Sequence, residues 1–239
     1  MPASVSTLWY VDAPDPAAVL RTARPDCGAA QRLLQRLFPE QNADPVGRVS
    51  LRRAAGGSDD ADGGAAQVFV GSYPGVTVVC SRDLMFRRPS TLPERWIHTL
   101  ASEQTYLVVS DPPGAWGAFG AWERGTLRRS FGASPVEFFE DEGIPFVWER
   151  PFWAGDHPIS WPAHIAPHPQ ALPFHPRRLV DTANAAFLGY RYVGRTDGEL
   201  DPDDVEVWGF ALRSQDEPDP PPSGTAPVRH RWWRRARRP

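Results

Sequence analysis

The clearest pattern along the chain is the alternation in residues 68–84, VFVGSYPGVTVVCSRDL. Val68, Val70, Val76, Val78 and Cys80 fall on alternate positions, and the opposite set, Phe69, Thr77 and Val79, is also largely apolar. Two such runs flank Tyr73-Pro74-Gly75, where Pro presets one turn dihedral and Gly supplies the positive φ of the next, so a β-hairpin is expected. Apolar side chains on both faces place that hairpin in mid-sheet. Upstream, Leu8-Trp9-Tyr10-Val11 predicts a short strand and residues 17–23 a brief helix. Asp26 can cap a second helix, in which Ala30, Leu33, Leu34, Leu37 and Phe38 repeat at helical spacing until Pro39 stops it. Residues 54–66, AAGGSDDADGGAA, read as a flexible loop. Downstream, Thr91 and Glu94 form a capping-box signature for a helix to about Ser102, with Trp96, Ile97 and Leu100 inward. Tyr106-Leu107-Val108-Val109 predicts the next strand.

This succession, β-α-β-β-α-β, is that of a ferredoxin-like core, in which helices cover one face of an antiparallel sheet. Strands over residues 115–123 and 126–131, joined at Arg124-Gly125, are expected to extend it alongside residues 68–72, which the plain order leaves at an edge. Residues 136–139 and 146–148 read as edge strands separated by Glu140-Asp141-Glu142-Gly143. Residues 151–176 form a Pro/His-rich irregular wrap whose rings, Phe152, Trp153, Trp161 and Phe174, need cover. A helix over 177–187 closes near Gly189, and a last strand runs over 205–212. The expectation is an α+β fold: one domain over residues 1–213, then a disordered Pro-rich and Arg/Trp-rich tail over 214–239.

Composition narrows the function classes. The 239 residues include 27 Pro and 10 Trp, and all 26 basic residues are Arg, a bias that reads as high-GC codon usage. The formal charge of −3 hides an asymmetry, because the body is acidic and only the last 26 residues, with six Arg against three acids, are basic. The acidic body argues against a dedicated nucleic-acid protein. The N-terminal residues lack a signal-peptide pattern and no run is long enough to span a bilayer, so a cytoplasmic protein is expected, with Cys27 and Cys80 as free thiols.

Several of these residues together are similar to an uncharacterised actinobacterial domain-of-unknown-function family. They are Trp9-Tyr10 with Asp12, Tyr73-Pro74-Gly75-Val76 running into Val79-Cys80-Ser81-Arg82-Asp83-Leu84, Trp122-Glu123 with Leu127 and Ser130, Pro151-Phe152-Trp153-Ala154-Gly155, His157-Pro158, and Leu172-Pro173-Phe174-His175-Pro176. The resemblance covers about residues 7–212 and implies no known activity. Residues 54–66, 162–170 and the tail look like additions to the family pattern.

Candidate chemistry is sparse. His157, His164, His168 and His175 lie close in sequence, and imidazole is the commonest zinc ligand, but Pro162, Pro167 and Pro169 oppose the helix that would pair His164 with His168. Loop histidines bonded to backbone are the plainer reading, with His157 and His175, inside the resemblance, as the metal candidates. Asp12, Asp83, Asp111 and Ser81 sit at strand ends, where sites form. Asp12 is expected beside the Tyr73–Gly75 turn, away from Asp83 and Asp111, and solvated or Arg-paired carboxylates are the default. Cys27, at a helix start, is a reactive-thiol candidate against an idle one, and Cys80 reads as core. Trp122 and Trp153 are either core or contact anchors. The tail residues Arg231, Trp232, Trp233, Arg234 and Arg235 suit an anionic membrane surface or RNA. No Ser-His-Asp order, nucleophile elbow, P-loop or dinucleotide fingerprint occurs.

The leading expectation is a non-catalytic protein-interaction module of the toxin-immunity or accessory-partner kind, with an unidentified protein partner, no cofactor, and ligand or partner contacts at Asp12, Tyr73, Asp83, Asp111, Trp122 and Trp153. The alternatives are a metal-assisted hydrolase using a divalent ion on His157 and His175, and tail-driven binding to anionic membrane or RNA.

Overall fold

The first strand, β1 (Val5–Val11), is buried along its whole length. Leu8 and Tyr10 enter one apolar cluster and Val5, Trp9 and Val11 the other. A strand so covered must be internal and have structure on both faces. The computed structural model, which describes residues 4–56, 67–160 and 168–215, supplies both. Its remaining strands are β2 (Gln41–Ser50), β3 (Val68–Tyr73), β4 (Val76–Ser81), β5 (Gln104–Asp111), β6 (Trp116–Glu123), β7 (Thr126–Ser134), β8 (Glu137–Gly143) and β9 (Glu206–Ser214). All nine form one antiparallel sheet in the order β2-β9-β3-β4-β1-β5-β6-β7-β8.

The helices are α1 (Pro16–Thr22), α2 (Cys27–Leu37), α3 (Leu51–Ala55), α4 (Glu94–His98), α5 (Arg150–Trp153) and α6 (Pro176–Leu188). One face of the sheet is covered by α2, α4 and the chain through Leu84 and Leu92. Asp26 caps α2 by accepting from the Ala29 N–H at 2.9 Å, and Ala30, Leu33, Leu34 and Leu37 pack with Leu8, Val70 and Val79. The Tyr10 hydroxyl, donating to the Trp96 carbonyl at 2.5 Å, fastens α4 to β1. On the other face α1 and α3 bring Leu20, Leu51, Ala54 and Ala55 onto Trp9, Val78 and Cys80. Further along, α5 and α6 cover Val108, Phe119 and Phe131 with Phe152, Leu179, Val180 and Ala183. Gly189, at φ +77°, ends α6 in the left-handed conformation that glycine adopts without strain.

The expected ferredoxin-like core is corrected: the fold is a largely sheet structure of nine strands with short helices on both faces. β2, in a stretch where no strand is expected, pairs with β9 at one margin. The second face is covered by α1, α3, α5 and α6. The β6–β7 hairpin extends the sheet from β5 rather than from β3, whose outer side is taken by β9. β5 is itself apolar on both faces, with Leu107 and Val109 on one and Val108 on the other, so it too needs a neighbour.

Smaller corrections have local causes. The Thr91 hydroxyl donates to the Arg88 carbonyl at 2.7 Å within a 3₁₀ turn (Pro89–Thr91), so the helix starts later, after Pro93, and is short. Glu140-Asp141-Glu142-Gly143, expected as a separator, belongs to β8, and Val147–Glu149 is a 3₁₀ turn rather than a strand. Ala54 and Ala55 lie in α3 instead of the loop. No helix among the described residues is long and apolar enough to cross a membrane.

Packing of the chain before α4 across β7 gives a direct test. A Cβ on Gly132 would lie 1.9 Å from the Arg87 carbonyl oxygen, whereas one on Gly28 meets only side-chain atoms, at 3.4 Å. G132A is expected to lose about 1–3 kcal/mol in chemical denaturation, and G28A to be neutral or gain about 0.5 kcal/mol.

Candidate functional site

The two margins of the sheet differ. β2 carries Pro45 and a bulge between Pro45 and Gly47, both of which discourage a further strand. β8 has no proline, and its bulge, opposite Gly132 and Ala133, turns Phe139 to the face of Trp116 and Arg87 while Phe138 lies on the face of Phe131 and Trp153. Among the described residues nothing pairs with the outer side of β8.

The acidic side chains of β8 divide into two sets. Glu140 points inward on the first face, accepting from the Ser90 N–H at 3.0 Å and from the Ser90 and Ser130 hydroxyls. Asp141 points inward on the other face, to Arg129 at 2.5 Å. Glu137 and Glu142 are exposed and make no ion pair among the described residues. Large apolar side chains stand with them: Phe138 is 50 % exposed, and Ile144 and Val147, just past the strand, are 86 % and 74 % exposed.

What holds this margin in place is a buried ion pair. Arg129 on β7 and Glu149 before α5 are both fully buried. Arg129 Nε and Nη2 donate to the two Glu149 oxygens at 3.1 and 2.9 Å, and Nη1 donates to Asp141, to the Glu142 carbonyl at 3.0 Å and to the Ser130 carbonyl at 3.3 Å. Glu149 also accepts from the Phe146 N–H at 2.9 Å and the Trp153 indole at 3.3 Å. Burial works against the Arg129 charge, but hydrogen bonds and attraction from Glu149 and Asp141 outweigh it and hold the guanidinium above its ordinary pKa. The rings of Phe119 and Phe131 lie 6.0 and 5.8 Å from its central carbon, within cation–π range. One guanidinium therefore joins β7, β8 and the chain entering α5. Sequence reasoning misses it because Arg is seldom fully buried; the only local sign is its place on the Phe131, Ala133 face of β7.

The residues singled out from the sequence are dispersed over the sheet. Asp12 accepts from the Glu103 N–H at 2.7 Å, and its own N–H donates to the Gly75 carbonyl at 2.8 Å, beside the hairpin turn. The Tyr73 hydroxyl donates to the Glu206 carbonyl, tying β3 to β9, and burial raises its pKa. Asp111 accepts from the Ser4 hydroxyl at 2.6 Å, while Asp83 is exposed and its N–H donates to Ser81 Oγ at 3.2 Å. Trp122 is buried in the first core, the default expected for it. Trp153 is half-buried and stacks beneath Phe138, ring planes 5° apart, so it alone of these residues lies at the β8 margin. His157 packs on Phe152, with ring centroids 4.2 Å apart. His175 caps α6 through Nδ1, accepting from the Arg177 N–H at 3.3 Å; burial and the Arg177 and Arg178 charges lower its pKa. Among the described residues no three His, Cys, Asp or Glu side chains gather as metal ligands. Burial and Asp26 raise the Cys27 pKa, the reverse of activation, and burial also raises that of Cys80. His164, Trp161 and Arg231, Trp232, Trp233, Arg234 and Arg235 of the tail lie outside the described residues.

A second polar locus lies along α6. Burial lifts the Asp181 carboxyl to about 6, against a hydrogen bond from the Tyr192 backbone and the charges of Arg177, Arg191 and Arg52. Asn184, one turn on, is fully buried with neither polar atom of its amide bonded.

Two stability tests follow. Arg129→Met and Glu149→Leu are each expected to lose about 3–5 kcal/mol by leaving a buried charge unpaired, and the double variant clearly less than their sum. Since Asp181 titrates near 6 in the folded chain and near 3.9 unfolded, the folded state holds the extra proton between these values and stability falls as pH rises through them. Above about pH 6 the deficit is constant, about 2–3 kcal/mol. D181N is thus expected to raise the melting temperature at pH 7.5 and to change it much less at pH 4.

No curated protein and no solved structure matches the chain significantly. A family model does match, over residues 5–210, almost the whole span from β1 to the middle of β9. The chain that carries this two-sided sheet and acidic margin therefore belongs to DUF6928, a family of unknown function.

Proposed function

We propose that the protein is an interaction module that binds a partner by strand addition at β8, the partner supplying an extended segment in which basic and apolar residues alternate. The observation that carries this reading is the combination, on a strand edge that nothing among the described residues pairs, of exposed Phe138 with exposed Glu137 and Glu142, continued just past the strand by exposed Ile144 and Val147. Main-chain hydrogen bonds to such an edge give affinity, and side chains on alternate positions give specificity.

Charges on an edge strand also serve to keep edges from pairing. That plainer role accounts for Glu137 and Glu142 but leaves the exposure of the apolar residues without a reason. A second copy of this chain fits less well, because two β8 edges would set carboxylates against carboxylates. The brace from Arg129 to Glu149 suits the role, since a margin fixed in its bound shape loses little conformational freedom on docking.

A labelled peptide of alternating Arg and Val residues, titrated into the full-length chain and followed by fluorescence anisotropy, tests this. Saturable binding that weakens with salt, and that E137R/E142R reduces at least about tenfold while leaving the melting temperature unchanged, is the expected result. Equal binding by E137R/E142R, or no saturable binding, would exclude the reading.

A further inference from the structure

A separate feature lies on the first face of the sheet, five strand positions from β8 at the tip of the β3–β4 hairpin. Along that face Val70 and Val79 pack against α2 as core. The next cross-strand pair toward the turn is Ser72 and Thr77, whose hydroxyl oxygens lie 3.5 Å apart. Above them α2 presents Arg32 and Arg36, one turn apart. Together with Ala29, Leu33 and Leu100 these four polar residues line a cleft of about 150 Å³.

The cleft's chemistry is one-sided. Two arginines and two hydroxyl side chains line it, and no carboxylate does. The adjacent Asp26 is engaged in capping α2. Among the described residues neither Arg32 nor Arg36 forms an ion pair; Arg36 Nη1 has only a long bond, 3.5 Å, to the Thr99 carbonyl. Many other arginines of the chain are paired, among them Arg48, Arg52, Arg124, Arg128 and Arg129. Two unpaired guanidiniums at helical i, i+4 spacing repel each other, so their placement over a pair of hydroxyls favours an anion between them. A volume of about 150 Å³ is well above the roughly 10–15 Å³ that a single water needs, enough room for one tetrahedral oxyanion and part of its hydration.

We propose that this cleft is a binding site for the phosphate group of a small phosphate monoester. Arg32 and Arg36 bind its non-bridging oxygens through charge-assisted, bidentate-capable hydrogen bonds. Ser72 and Thr77 donate their hydroxyl hydrogens from the floor, and the esterified group projects through the open side. The site is independent of the strand-addition edge, and either can fail without the other.

Isothermal titration of the full-length chain at fixed ionic strength, with inorganic phosphate and then phenyl phosphate as probes, decides it. The expected result is one saturable site for each probe, with chloride giving no heat beyond dilution. R32Q/R36Q should weaken phosphate binding at least about tenfold, and S72A/T77V several-fold. Both Arg side chains are exposed, so R32Q/R36Q should melt with the parent chain. No saturable heat with either probe, or unchanged affinity in R32Q/R36Q, would overturn the assignment. Loss in R32Q/R36Q with none in S72A/T77V would overturn the role of the hairpin hydroxyls.

Discussion

The structure depends on apolar burial on both faces of its middle strands. β1, β4 and β5 place large apolar side chains alternately up and down, and a sheet of that kind exists only between two covering layers. The first layer is made by α2 and α4, the second by α1, α3, α5, α6 and the chain around Tyr190 and Leu200. Because the interior strands are apolar on both sides, each also needs a strand neighbour, and the sheet grows outward until it reaches strands that tolerate water. Those are β2, interrupted by Pro45 and its bulge, and β8, rich in carboxylates.

At the β8 margin apolar burial no longer suffices, and charge takes over. Arg129 lies under Phe119 and Phe131, and its fully buried pairing with Glu149 would by itself stabilise the fold little, since desolvation offsets much of the attraction. Its value is in specification. One guanidinium satisfies acceptors on β7, β8 and the turn into α5 at once, so the bulge and the strand have one arrangement. Glu140, held by Ser90 and Ser130 on the opposite face, does the same from the other side. The outward residues of β8 are left as a rigid edge, which is the basis of the proposed partner binding.

Elements with local signals were legible in the sequence. The Asp26 cap and the Ala30, Leu33, Leu34, Leu37 stripe define α2, Pro74-Gly75 defines the hairpin turn, and Gly189 ends α6. Elements formed only by distant pairing were not. β2, QNADPVGRVS, lacks alternation and contains Pro and Gly, and it is a strand because β9, far along the chain, pairs with it. The carboxylates of residues 140–142 read as a separator between strands because nothing nearby in sequence shows that Arg129 and Ser90 satisfy two of them. The core positions and the place of the β3–β4 hairpin beside β1 therefore came through, while the way the sheet is extended at both margins and the ferredoxin-like inference did not. Of the residues singled out, Trp153 lies at the β8 margin, but the buried Arg129–Glu149 pair and the cleft beside Arg32 and Arg36 were not anticipated, since an arginine's surroundings depend on what the fold sets against it.

Among the described residues β8 is thus a held but unpaired edge on a sheet whose middle strands are sealed on both sides. Residue-resolved amide hydrogen exchange of the full-length chain measures this directly. The expected result is protection in β1 and β4 close to the global stability, and, within β8, slow exchange only for amides bonded to β7 with rapid exchange for those facing outward. Uniform strong protection across β8, or rapid exchange throughout β1, would contradict it.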